Sequence, residues 1–279
     1  PFESLSSRTV LQIGGNCPRT FRRVGELVAD LTSAESSSAY AAININVGCP
    51  SPRVSGKGQF GASLMRNPRN VGDLAKELFE GTGETVPVTV KCRVGVADSV
   101  REMRERREGT EAEEEEFERL CDFVQVVRET SEGVVNHFDV HARCAVLAAN
   151  FNPTQNRQVP PLKYRHVYRL CDAFPDLSFT INGGVNTAED VREIFQHSNG
   201  GRGPESVMIG RASRDTPLEV VRMVRAFAST PDTETTSVID GWNDAPAVVD
   251  VVRRYARYVE SEMKRKPSLS SQTLFAPLM

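Results

Sequence analysis

The sequence predicts an α/β fold: a TIM (β/α)8 barrel, here lacking its first strands, followed by the start of a C-terminal helical domain. Two observations carry that expectation. Short β-branched runs alternate with segments of helical periodicity as far as about residue 229, the pattern of repeated βα units around a parallel sheet. Every run also ends in polar residues or glycine: Gln12 to Gly15, Asn46 to Pro50, Lys91 to Arg93, His141 to Arg143, Asn182 to Gly184, and Gly210 with Arg211. In βα barrels that end of the strands carries the chemistry.

The apolar runs place strands at Val10 to Ile13, Ala42 to Asn46, Val86 to Lys91, His137 to Val140, Ser178 to Ile181 and Val207 to Ile209. Helical spacing places helices at Thr20 to Leu31, Pro68 to Phe79, Phe117 to Thr130, Tyr164 to Phe174 and Thr187 to His197. Asn67 before Pro68 reads as an N-cap with proline in the first turn, and Thr187 with Asp190 as a capping pair. Six units suffice for an open doubly wound sheet, whereas a closed barrel needs eight. With Pro1 in place of an initiator Met, the deficit is read as barrel strands lying upstream.

Residues 1–229 are therefore expected to form the βα barrel and 230–279 the start of a helical domain, cut short. In that second part a polar linker precedes a helix from Ala247 to Lys266, whose arginines and lysines either face RNA phosphates or form a solvated face. Within the barrel part, Val100 to Glu116 shows almost no apolar face and is expected to be a solvated charged insertion, about 98–116, or an extension of the next helix.

Composition narrows the class. The chain has 279 residues, 39% of them apolar and 25% charged, and no run of about 18 apolar residues to span a membrane. Pro1 to Thr9 shows neither a signal core nor an Arg-rich amphipathic pattern, so the expected compartment is cytoplasmic or organellar. Six cysteines at 17, 49, 92, 121, 144 and 171 form no CxxC pair, so no metal site and no disulfide framework is expected. Between Arg101 and Arg119 nine Glu and five Arg give a net −4, which leaves +1 on the rest of a chain whose net charge is −3. That balance neither demands nor excludes RNA, because a local basic patch is enough.

At the strand ends, Asn182-Gly183-Gly184 and Gly210-Arg211 place small residues and one guanidinium where barrels bind phosphate. A GG pair is also an ordinary turn. Lys91 and His141 point polar heads toward the barrel mouth, and Gln12 adds a donor and acceptor for a heterocycle edge; each alone also fits a structural role. Cys49 leads into a Gly- and Ser-rich loop, Gly48 to Ser63, that could move. A thiol delivers a proton and a thiolate attacks as a nucleophile, and residue spacing leaves both open.

The string Ile45-Asn46-Val47-Gly48-Cys49-Pro50-Ser51, with Arg53-Val54, Gly58, Phe60-Gly61-Ala62 and Leu64-Met65, resembles the signature of the tRNA-dihydrouridine synthase family. The resemblance continues through Leu11 to Gly15, Val88 to Gly95, His141-Ala142-Arg143, Asn156-Arg157 with Pro160-Pro161-Leu162, Ile181 to Gly184 and Val207 to Ala212. The proline-rich loop is most similar to the bacterial tRNA-dihydrouridine(20/20a) synthase branch. The resemblance implies FMN as cofactor, NADPH as reductant, and tRNA as substrate, with a D-loop uridine, U20 or U20a, turned out of its stack and reduced. It implies Cys49 as proton donor, and Gln12, Lys91, His141, Asn182, Gly183, Gly184, Gly210 and Arg211 as FMN contacts. Asn46, Thr154 and Arg157 would meet uracil or tRNA, and the enzyme is expected to act as a monomer without membrane partners. The family's opening strands have no counterpart in the sequence, and the charged insertion is atypical.

Overall fold

The structure is a computed structural model that describes residues 9–33, 40–197, 202–228 and 245–265. Six parallel strands form one sheet: β1 (Val10–Ile13), β2 (Ala42–Asn46), β3 (Val88–Arg93), β5 (His137–His141), β7 (Ser178–Asn182) and β8 (Ser206–Met208), neighbours in that order. Helices α1 (Pro18–Ser33), α2 (Pro68–Gly81), α4 (Glu111–Thr130) and α6 (Tyr164–Ala173) lie between successive strands. Strand, helix, parallel strand in steady succession is TIM-barrel construction. A second pair, β4 (Val96–Ala97) and β6 (Ala145–Val146), is also parallel and links the loops that follow β3 and β5.

The strands alternate rather than being apolar throughout, as the short runs had led us to expect. Ile43, Ile45, Val88, Val90, Cys92, Phe138, Val140, Phe179 and Ile181 are at most 1% exposed. They share the core with Leu74 and Leu78 of α2, Leu120 and Val124 of α4, and Leu170 of α6. Each such buried side chain contributes about 1.5–3 kcal/mol of hydrophobic stabilisation. The intervening residues, Asn44, Asn46, Thr89, Lys91, Asp139, His141, Thr180 and Asn182, belong to the other face. A two-residue period thus separates a greasy outer face from a polar inner one, and only the inner one can do chemistry.

Local signals set the helix starts. The Asn67 side chain accepts from Asn70 N at 3.3 Å with Pro68 in the first turn, and Thr187 and Asp190 form a complete capping box. By contacts the chain divides into two units, Pro1–Gly183 with Ser198–Met208, and Gly184–His197 with Ile209–Met279. The first holds the whole sheet. In the second, α7 (Ala188–Gln196) packs with α9 (Pro217–Ala228), α8 (Ala212–Asp215) precedes α9, and α10 (Ala245–Arg265) follows. On α10 the side chains of Arg253, Arg254, Arg257, Lys264 and Arg265 are exposed, and Lys266 lies outside the described residues. Residues 230–244 and 266–279 of the expected helical domain also lie outside them.

One expectation needs correction. The acidic stretch is not a solvated appendage: it forms α3 (Val100–Glu105) and the first turns of α4, and Met103, Arg106, Glu113 and Glu116 are buried. The loop Ala145 to Pro161 begins with β6, contains the single turn α5 (Gln155–Gln158), and buries Asn156 completely. The loop after Cys49 is folded as well, through a π-turn at Pro52–Lys57 and a 3-10 turn at Gly61–Arg66 that buries Ala62 and Leu64.

Candidate active site at the strand ends

The inner face of the sheet is a connected polar layer. Gln12 Nε2 donates to Asn44 Oδ1 at 2.7 Å, and Asn44 Nδ2 donates to Thr89 Oγ1 at 2.8 Å and Asp139 Oδ2 at 2.9 Å. His137 Nε2 lies 3.4 Å from Asp139 Oδ1 and 2.7 Å from Thr180 Oγ1, which meets Ser206 Oγ at 2.7 Å. Buried amides and carboxylates need such partners: Asn44 finds them on β1, β3 and β5, and Asp139 on β2 and on its own strand. Sequence reasoning missed Asn44 and Asp139. Their signal was the alternation in Ala42–Asn46 and His137–His141, which places them two residues before Asn46 and His141 on the same face.

Lys91, His141, Asn182 and Gly183 come together above that layer. Lys91 Nζ donates to Asn182 Oδ1 at 2.8 Å, and Asn182 Nδ2 donates to Met208 O at 2.8 Å. Burial pulls the Lys91 pKa below the usual lysine value, against the opposing pull of Asp139. Gly183 has φ +111°, and a Cβ there would stand 2.6 Å from His141 Cδ2 and 2.8 Å from Nε2. Only glycine lets the chain pass the imidazole. Tyr164 Oη fixes that turn by donating to Gly183 O.

Cys49 is held by its neighbours' backbone groups. Asn46 Oδ1 accepts from Gly48 N and Cys49 N, both at 3.1 Å, and Asn46 Nδ2 reaches Gln12 Oε1 at 3.2 Å. The Cys49 carbonyl accepts from Ala62 N at 2.9 Å and Ser55 Oγ at 2.6 Å. Gly61, at φ +67°, closes this loop; a Cβ there would meet Cys49 O at 2.7 Å. The half-buried thiol is thus placed from both sides.

Arg93, which sequence reasoning did not single out, joins this loop to the next. It is 4% exposed, and its Nε donates to Gly48 O at 3.2 Å while Nη1 donates to Asn156 O at 3.1 Å. Burial lowers its pKa to about 10. Asn156 in turn brackets Val146, accepting from its N at 2.8 Å and donating to its O at 2.9 Å. Thr154 and Arg157 remain exposed on the same turn, with Arg157 Nη2 on Thr154 Oγ1 at 3.2 Å. Gly184, Gly210 and Arg211 fall in the second unit, where Gly184 has φ +78° and Gly210 and Arg211 are exposed just before α8.

The chain has relatives among known proteins. The model of the family described as Dihydrouridine synthase (Dus) matches residues 2–274. The chain belongs to the dihydrouridine synthase family. It is 34% identical over 255 residues to a protein of Escherichia coli strain K12 named tRNA-dihydrouridine(20/20a) synthase, covering 91% of this chain and 61% of that protein. Proteins of the same name from Salmonella typhi and Vibrio vulnificus are 32% identical over 255 residues and 37% identical over 207. They are covered over 63% and 53% of their lengths, against 91% and 74% of this chain. The chain thus spans less than two thirds of these relatives. Among solved structures, it is similar to N-acetylneuraminate lyase from Fusobacterium nucleatum at 10% identity and a TM-score of 0.30, covering 97% of this chain and 95% of that one. No helix among the described residues is long and apolar enough to cross a membrane.

Proposed function

We propose that this chain is the flavin-binding part of a tRNA-dihydrouridine synthase that reduces U20 or U20a of the D-loop to 5,6-dihydrouridine at the expense of NADPH. The observation that carries the reading is the fixed presentation of Cys49 on the same strand ends as Lys91, His141 and Gly183. Bound FMN, reduced by NADPH, would supply hydride chemistry toward uracil C6. Reduction of the C5–C6 bond also needs one proton at C5, which Cys49 would give, the resulting thiolate regaining a proton from solvent.

The donor set fits that cofactor. Lys91 and Gln12 offer N–H groups to the polar edge of a flavin, and Lys91 has hydrogens to spare beyond its bond to Asn182. In the second unit, Gly184, at positive φ, and the Gly210-Arg211 pair offer backbone N–H groups and one guanidinium to a phosphate. Asn46, whose oxygen already holds the Cys49 loop, offers its amide N–H to the uracil. A uridine stacked in tRNA cannot reach such a site, so the base must be turned out of the D-loop, with Thr154 and Arg157 on the RNA.

The test is mass spectrometry of nuclease-digested unmodified tRNA after incubation of the intact protein with NADPH. Dihydrouridine at position 20 or 20a is the expected result. A flavin-loaded protein that oxidises NADPH yet leaves the tRNA unchanged would overturn the proposal in favour of a small-molecule reductase.

A further inference from the structure

The most heavily buried charge among the described residues, Glu116, lies outside the site just described. Glu116 is 1% exposed, and each of its oxygens serves a different partner. Oε1 faces Arg106 Nη1 at 3.3 Å, and that same guanidinium nitrogen donates to Val96 O at 2.9 Å. Oε2 is gripped by Lys163 Nζ, which also donates to Arg106 O at 2.6 Å. His166 Nε2 stands 3.6 Å from Oε2, beyond hydrogen-bond reach, and packs edge-on against Phe117. The fit is close enough that a Cβ on Gly95 would lie 2.9 Å from Oε1.

What these partners hold is the loop carrying Thr154 and Arg157. Its first root is β6, docked on β4: Ala145 N donates to Gly95 O and Leu147 N to Ala97 O, both at 2.8 Å. Arg106 pins β4 at its first residue, Val96. Its second root is Lys163 itself, whose backbone N donates to Ala142 O at 2.7 Å, one residue past His141. The two carboxylate oxygens of Glu116 therefore reach both ends of the segment 147–162. Replacing such a cluster by apolar side chains need not cost stability, so its distinctive contribution is to fix one arrangement of the groups it joins. We infer that Glu116 is a positioning residue, and that the charged insertion exists in this fold to clamp both roots of the loop that meets RNA. That the loop meets RNA rests on the function proposed above; the clamp itself does not.

Amide hydrogen exchange of the intact protein tests the clamp without any substrate. Glu116→Gln keeps the shape and removes the charge, and residues 147–162 are expected to exchange at least about tenfold faster while β3, β5 and β7 are unchanged. Unchanged exchange in that segment, or an equal rise across the whole sheet, would overturn the clamp. Lys163→Met releases only the second root and covers the case in which the first variant does not fold. Faster exchange near 157–162 but not at β6 supports the inference, and no change there refutes it. If the unaltered protein makes dihydrouridine, KM for tRNA is expected to rise about tenfold in either variant, with flavin reduction by NADPH unaffected. A freed loop with an unchanged KM would remove the role in RNA binding. Absence of product from the unaltered protein would instead sink the proposed activity and leave exchange to decide the clamp.

Discussion

Gly61→Ala is the sharpest probe of how Cys49 is held. At φ +67° a Cβ stands 2.7 Å from Cys49 O, 2.7 Å from Val54 Cγ1 and 3.2 Å from Cys49 Cβ. The left-handed backbone costs an alanine roughly 1–2 kcal/mol, and the overlap can be relieved only by shifting the Cys49 carbonyl off Ala62 N and Ser55 Oγ. Losing one such hydrogen bond adds about 1 kcal/mol, for a local cost on the order of 2–3 kcal/mol. At roughly 2–4 °C per kcal/mol, Tm should fall by about 4–12 °C and leave the protein folded. The thiol moves with its backbone, and a misplacement of about 1 Å costs on the order of 100-fold in rate. Dihydrouridine formation should therefore fall about 100-fold, measured by mass spectrometry of tRNA, with FMN content and NADPH oxidation unchanged within about twofold. Wild-type dihydrouridine formation in a Gly61→Ala protein of lowered Tm would refute the claim that this loop sets the thiol's position.

Three further outcomes are expected. Cys49→Ala should retain flavin and NADPH oxidation but lose nearly all dihydrouridine formation, since it removes only the proton donor; full activity would end that assignment. Arg211→Ala should weaken flavin retention about tenfold, read by fluorescence titration, because one charge-assisted contact to phosphate is worth about 1.5–3 kcal/mol; an unchanged affinity would contradict its role. For Glu116, burial acts to raise the carboxyl pKa, but the facing His166, Lys163 and Arg106 outweigh it and hold the pKa down at about 2. A depressed folded pKa means stability that is complete above the ordinary value near 4.5 and is lost as pH falls toward 2. The contribution is up to about 3 kcal/mol, and acid unfolding of Glu116→Gln should show a correspondingly shallower loss between those limits.

The sequence by itself determined every feature whose cause is local. The six strands stand where the β-branched runs put them, two with identical ends and the others with ends moved by at most two residues, and α2 and α7 start at the caps read from Asn67-Pro68 and Thr187-Asp190. The strand ends were legible too, because polarity at Asn46, Lys91, His141 and Asn182 follows directly on an apolar run. What stayed hidden depends on partners far along the chain. Asn44 reads as one polar residue in an apolar strand until β5 brings Asp139 to 2.9 Å from it. Arg93 gains its meaning from Asn156, 63 positions on. Glu116 is the clearest case: in a run of glutamates it looks solvated, and its burial becomes tolerable when Lys163, 47 residues later, joins Arg106 in facing it. Glu116 enters the interior because opposite charges come with it, and the arrival of Lys163 is decided by the fold, not by the neighbours in sequence.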